Sequence, residues 1–158
     1  MRSLLLPLAP ALLAAGATLA SAGDPLAEMG EACVTPDPAG LLASGKIFVD
    51  RFGYDTKPGI GGMKTYVSPD EARTVFLMGD GRTASCTMIV TLEDEAEAQR
   101  ITDMLQSYAD TMPGMTPVEG AKGKTWRWEE GGTTFAMGHQ RAAGGDDLIL
   151  TYEIGTGS

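Results

Sequence analysis

Apolar and polar positions alternate along two segments of the chain with a period of two residues. On one side of the first segment lie Cys86, Met88, Val90 and Leu92, and on one side of the second lie Leu148, Leu150, Tyr152 and Ile154. This period is typical of strands that bury one face. Two shorter extended patterns precede each segment, so each half of the chain is predicted to hold three strands. The predicted strands are at about 63–67, 74–79, 84–92, 123–129, 133–139 and 147–154.

Two further stretches carry apolar residues at helical spacing. The first begins at Asp37-Pro38, an N-cap followed by proline at the first helical position, and ends at Gly53. The second begins near 91–94 and ends at Pro113-Gly114. Their apolar faces are Leu41, Gly45, Phe48 and Phe52 in the first, and Ile101, Leu105, Tyr108 and Met112 in the second. Each predicted helix therefore precedes one set of three strands.

The two halves of the chain share short motifs about sixty residues apart. Lys64-Thr65-Tyr66 returns as Lys124-Thr125-Trp126, and the pattern T-x-F-x-M-G-x-x-R-x-A occurs at 74–84 and again at 133–143. Such self-similarity is typical of a duplicated supersecondary unit. We therefore predict an α+β fold, a tandem α-β-β-β duplication that gives an antiparallel sheet with two helices packed on one face. The pseudo-repeats span about 37–93 and 97–154.

The repeat also predicts which residues belong to the core. Phe76 and Met78 match Phe135 and Met137 in the shared motif, and apolar residues at matching positions are expected in a common core. The alternative stays open that the halves share only strand alternation.

The first 22 residues have the pattern of a secretory signal peptide. Arg2 precedes an apolar run over 4–20, and the small residues Ala20-Ser21-Ala22 predict cleavage before Gly23. The rival interpretation is an uncleaved membrane anchor. Cleavage leaves 23–158, which is of the size of a single domain. Since no twin-arginine pair is present, we predict Sec-like export to the periplasm or secretion.

The chain has two cysteines, Cys33 and Cys86. In an oxidising compartment an isolated pair is expected to form one disulfide. The alternative is a reactive thiol, but no C-x-x-C motif supports it.

The formal net charge of −9 bears on the partners. A negative protein is repelled by nucleic acid phosphates and by anionic lipid, so neither nucleic acid nor, after signal cleavage, a membrane is an expected partner. Solubility is the other reason for such a charge.

His139 is the only histidine. It has the chemistry of a general base or a metal ligand, but a lone histidine is more often a strand-end or surface residue. No G-x-S-x-G elbow and no paired metal-ligand motif accompanies it, so no catalytic residue, cofactor or metal site is predicted. An alternative is a copper site, in which the thioethers of Met112, Met115 and Met137 together with His139 hold cuprous copper, a soft metal ion.

Two arginines and two tryptophans complete the candidate binding residues. Arg82 and Arg141 hold matching places in the repeat, and two guanidiniums together can bind a carboxylate or phosphate. Trp126 and Trp128 share one strand face, where indoles stack on a ligand if exposed and fill the core if buried.

These patterns favour a small exported, disulfide-stapled protein that binds a periplasmic protein or a small ligand. The binding residues predicted are Arg82, Arg141, Trp126 and His139. The alternatives are a small periplasmic hydrolase that uses His139, the copper-binding protein, and a structural role as a homodimer.

Overall fold

The computed structural model describes residues 23–119 and 122–157, so the predicted signal peptide lies outside the described residues. Within these residues the helices are α1 (Pro25–Ala32), α2 (Pro38–Ala43), α3 (Gly45–Phe52) and α4 (Glu95–Thr111). The strands in the same described part are β1 (Asp55–Lys57), β2 (Lys64–Val67), β3 (Arg73–Gly79), β4 (Thr83–Thr91), β5 (Thr116–Pro117), β6 (Lys124–Glu130), β7 (Thr133–Arg141) and β8 (Asp147–Thr156). They form one antiparallel sheet in the order β1-β2-β3-β4-β8-β7-β6-β5. The α+β class is confirmed.

The first predicted helix is present as two segments. Asp37 caps α2 by accepting a hydrogen bond from the backbone of Gly40, and Pro38 occupies the first helical position. Ser44 separates α2 from α3, and Gly53 ends α3 with a φ of 73°, a conformation that favours glycine. The predicted apolar face is buried along both segments.

A helix that the alternation did not predict precedes these. Asp24 caps α1 by accepting hydrogen bonds from Leu26 and Ala27, and Pro25 follows it at the first helical position. The Asp-Pro signal that predicted α2 therefore occurs here as well, and it is the signal that would have found α1.

The second predicted helix, α4, begins after the N-cap Asp94. Its first half packs closely, since Ala98 and Ile101 are buried, but Tyr108 is 45% exposed. Tyr108, a member of the predicted apolar face, is therefore not part of the core. Met104, Leu105 and Tyr108 of this helix line a cavity, while Ala109 is buried.

All six predicted strands are present within one or two residues of their predicted ends. The turns at Asp80-Gly81 and Gly131-Gly132 connect β3 to β4 and β6 to β7. The edge strands β1 and β5 were not predicted, because they are too short to show alternation. Residues 68–71 form a non-helical turn in which the Ser68 hydroxyl donates to Asp70.

The described helices pack on one face of the sheet. That face carries the apolar side of β4 and β8, and Cys33 after α1 is joined there to Cys86 of β4 with a Cα–Cα distance of 6.0 Å. The predicted disulfide is confirmed. Closing a loop of this length contributes roughly 4 kcal/mol in the chain-entropy model.

The strand order is symmetric about the β4–β8 pair, but the repeated motif does not follow that symmetry. Phe135 and Met137 lie on the helix-covered face, whereas Phe76 and Met78 alternate with Val75 and so lie on the opposite face. Met78 is 53% exposed, so its prediction as a core residue is wrong. The motif repeats at 59 residues, whereas Tyr66 and Trp126, which both lie on the helix-covered face, are 60 residues apart, and a difference of one residue moves a side chain to the other face. The duplication stays a prediction.

Candidate functional site

An apolar cavity of about 390 Å³ lies between α1, α4 and the second half of the sheet. The two helices contribute aliphatic and thioether side chains, and strands β6, β7 and β8 contribute the floor. The side chains that enclose it are Leu26, Met29, Val34, Met104, Leu105, Tyr108, Trp128, Met137, Leu150 and Tyr152. Among the described residues that line the cavity, none is charged.

The cavity exists because α1 and α4 are joined at one end and do not pack against each other along their length. An ion pair between Arg100 of α4 and Asp24 joins the helices at one end, with 3.4 Å between nitrogen and oxygen. Farther along, Gly30 of α1 faces the cavity without a side chain, and a Cβ there would meet nothing within 4 Å. Gly30 is exposed and lines the cavity, so a larger residue at position 30 would narrow the opening.

Aromatic rings form one wall of the cavity. Trp128 stacks on Phe135 with 5.2 Å between ring centroids and lies 6.2 Å from the ring of Tyr152. The Tyr152 hydroxyl donates to the carbonyl of Thr35 at 3.1 Å, and burial raises the pKa of Tyr152 to about 12. These contacts fix the position of the wall.

Methionines line the rest of the cavity on three elements. Met29 of α1 and Met137 of β7 are buried, whereas Met104 of α4 is half exposed at the mouth. An unbranched thioether adapts its shape to irregular apolar groups and contacts aromatic rings favourably. The cavity therefore combines a fixed aromatic wall with adjustable sides.

Two of the predicted binding residues, Trp126 and His139, lie together next to this cavity on the helix-covered face. Their ring centroids are 5.9 Å apart, and Trp126 is buried as one of the two interpretations expected. His139 Nε2 is buried without a hydrogen-bond partner among the described residues. Burial, followed by the charge of Lys124, lowers the pKa of His139.

This environment does not resemble that of a general base. His139 pairs with Lys124 and Leu150 on the neighbouring strands, and a general base needs a hydroxyl or carboxylate within hydrogen-bond reach to orient it or to be activated. No such partner of its side chain is found among residues 23–119 and 122–157.

The two predicted arginines are not brought together. Arg82 lies in the β3–β4 turn, where its carbonyl accepts from Thr156 at the end of β8. Arg141 pairs with Leu148 near the start of β8, so about 26 Å of strand separates the two at about 3.3 Å per residue. Arg141 is also engaged by Glu95 and by the Gly145 carbonyl.

The residues of the copper alternative come from two parts of the chain, the α4–β5 connection and β7. Met112 follows α4, Met115 precedes β5, and Met137 and His139 lie on β7. In the described part of the chain, no group of three or more His, Cys, Asp or Glu side chains is placed to hold a metal ion.

A buried polar network beneath α1 was missed by the sequence analysis. Glu28, Tyr54 and Arg73 are buried, with the Tyr54 hydroxyl donating to Glu28 and Arg73 Nε donating to the Tyr54 oxygen at 3.0 Å. Burial and the neighbouring Glu28 raise the pKa of Tyr54 far above its ordinary value. These residues come from α1, the α3–β1 connection and β3, and no motif spacing connects them.

No protein-family model matches this chain, and no curated protein or solved structure matches it significantly. Within the described residues, no helix is long and apolar enough to cross a membrane. The disulfide fits a small exported protein.

Proposed function

We propose that this protein is an exported, disulfide-stapled binding protein that holds a small, uncharged, apolar molecule between α1, α4 and the sheet. The observation that carries the proposal is the cavity itself, which is partly enclosed and lined by apolar and aromatic side chains. Its volume of about 390 Å³ falls in the range of about 300–1,000 Å³ that is usual for small-molecule sites. The predicted export places this activity in the periplasm or outside the cell.

The lining sets the chemistry of the ligand. A charged ligand buried there would lose its hydration without gaining a partner, because none of the described lining residues is charged. The net charge of −9 also disfavours anions. A flat ring is favoured at the wall, since Trp128 offers an indole against which it can pack.

Binding of a neutral apolar probe tests the proposal. N-phenyl-1-naphthylamine fluoresces strongly in apolar surroundings, so titration of the mature chain is expected to give a saturable rise in fluorescence. Gly30→Leu fills the cavity from α1 and is expected to weaken probe binding about 10-fold or more, because the added side chain enters the space that the probe would occupy.

Ser107→Leu is the matched control. It adds the same side chain to the exposed side of α4, away from the cavity, and is expected to bind the probe as the unaltered protein does. Circular dichroism and urea unfolding verify that both variants are folded. Equal probe binding by the Gly30→Leu variant and the unaltered protein, or no saturable binding at all, contradicts the proposal.

A further inference from the structure

The buried carboxylate of Glu28 is held by three groups, and one of them is the first residue that the structure describes. Glu28 is 1% exposed. Its Oε2 accepts from the Tyr54 hydroxyl and lies 3.2 Å from Arg73 Nε. Its Oε1 accepts from the backbone nitrogen of Gly23 at 2.7 Å. The Gly23 nitrogen is therefore the sole partner of Oε1 among the described residues.

Gly23 is also fixed at its carbonyl. Arg73 Nη1 donates to the Gly23 oxygen at 3.3 Å, so both backbone groups of this residue are bound to the network.

The charges of the network do not balance. Among the described residues, Arg73 is the single cation of the network. It pairs with buried Glu28 at Nε and with half-exposed Asp70 at Nη2, with 3.3 Å to the Asp70 oxygen. A buried carboxylate is stabilised more by a charged hydrogen-bond donor than by a neutral amide. The position of the Gly23 nitrogen is where one further positive charge would balance the cluster.

Gly23 is the residue that the A-x-A pattern places directly after the signal peptidase site. Hydrolysis of the Ala22–Gly23 peptide bond consumes one water, leaves a carboxylate on Ala22 and converts the Gly23 amide into an α-ammonium group. We propose that this α-ammonium binds Glu28 as the second cation of the buried network, so that signal peptide removal itself stabilises the mature fold. The site takes a primary ammonium group, and its occupant is the chain's own processed N-terminus.

One effect opposes this arrangement. A positive charge placed just before α1 is unfavourable for the helix dipole. Asp24 and Glu28, both within the first turn or its cap, carry the compensating negative charges. Since Glu28 is almost fully buried and bonds Gly23 directly, the local pair outweighs the dipole.

Urea unfolding of three forms of the mature chain tests the proposal. The first form begins at an authentic Gly23, the second carries an acetyl group on the Gly23 nitrogen, and the third retains Ala22 as its first residue. We expect the unfolding equilibrium constant of the first form to be about 10-fold or more below those of the other two, which is the usual scale for a hydrogen bond to a charged group. Equal stabilities of the three forms overturn the proposal.

Two variants assign the effect to Glu28. In Glu28→Gln the difference between the three forms is expected to shrink or vanish, because the neutral amide can accept a hydrogen bond from the ammonium but forms no ion pair with it. In Asp24→Asn the 10-fold difference is expected to persist, and this variant keeps the test decisive if Glu28→Gln does not fold. Loss of the difference in Asp24→Asn would assign the ammonium to Asp24 instead and overturn the proposal. Sequencing of the exported protein must return Gly23 as its first residue, and any other terminus also overturns it.

Discussion

Single side chains in this protein are held in environments that their own sequence neighbours do not reveal. Arg73 occupies the helix-covered face of β3 at 7% exposure, where an apolar residue is expected, and it stays charged because Glu28 and Asp70 pair with it. His139 occupies the same face of β7 without a partner among the described residues. Sequence alone places both residues on a strand, but the contacts that define their chemistry come from distant parts of the chain.

The titration of His139 gives a prediction at this scale. Its pKa in the folded protein lies below the ordinary value of 6.5, because burial and the charge of Lys124 disfavour the imidazolium. The unfolded chain therefore binds a proton at a higher pH than the folded protein does. The stability that neutral His139 contributes is present above about pH 6.5 and is lost as the pH falls toward the lower, folded pKa.

His139→Leu removes this titration while keeping an apolar contact for Trp126. We expect the free energy of unfolding of the unaltered protein to fall relative to that of the variant when the pH is lowered from 7.5 to 5. Urea unfolding at several pH values measures the difference. Parallel pH profiles of the two proteins would contradict the predicted direction, since the carboxylates are common to both. The Arg141–Glu95 pair next to His139 is likewise unchanged in both proteins.

At the scale of elements, the alternation and the caps predicted most of the structure. The six strands and the turns at Asp80-Gly81 and Gly131-Gly132 follow from patterns within ten residues, because strand alternation and turn chemistry are local. The break at Ser44 and the short strands β1 and β5 do not follow from such local patterns. These features depend on how the helices and strands pack against one another, and the cavity results from the same packing.

Gly45 of α3 shows how closely one of these elements packs. A Cβ at this position would lie 1.9 Å from the Tyr66 hydroxyl oxygen, and Tyr66 is buried on β2 beneath the helix. We expect Gly45→Ala to lower the free energy of unfolding by about 1–3 kcal/mol, because α3 or Tyr66 must move. Intrinsic helix propensity acts in the opposite direction by up to about 1 kcal/mol.

Gly40→Ala in α2 is the matched control. Its Cβ would be 3.5 Å from its nearest neighbours, which is ordinary van der Waals contact. The variant is expected to be as stable as the unaltered protein or more stable. Urea midpoints of the two variants decide the matter, and equal destabilisation by both would show that the Tyr66 contact is not the cause.

For the whole molecule, the α+β fold class and the disulfide were predicted from the sequence, whereas the apolar cavity was not. The sequence placed Cys33 and Cys86 together because only two cysteines exist, and it placed the helices over the sheet because the strands need a cover. Arg82 and Arg141 were predicted as binding residues because they hold matching places in the repeated motif. The motif does not follow the register of the sheet, so the match does not bring the two arginines together. Of the predicted binding residues, Trp126 and His139 lie beside the cavity, but its wall is built from Trp128 and Tyr152.

The disulfide has the largest single effect expected on the stability of the whole chain. It closes a separation of 53 residues between α1 and β4, and the Cys33→Ala/Cys86→Ala double variant is expected to lose roughly 4 kcal/mol of unfolding free energy. Urea unfolding of the variant, compared with the dithiothreitol-reduced unaltered protein, measures it. Both are expected to unfold at similar, lower urea concentrations; an unchanged midpoint in either would contradict the estimate.

The central position of the β4–β8 pair also bears on the order in which the sheet assembles. Strands β1 to β4 and strands β5 to β8 each form a meander of sequence neighbours, so their contacts close short loops. The β4–β8 ladder instead pairs Thr87 with Thr151 and spans α4, and closing such a long loop costs more chain entropy before any contact is gained. The topology therefore favours a folding route in which each meander forms first and the two then pair through β4 and β8.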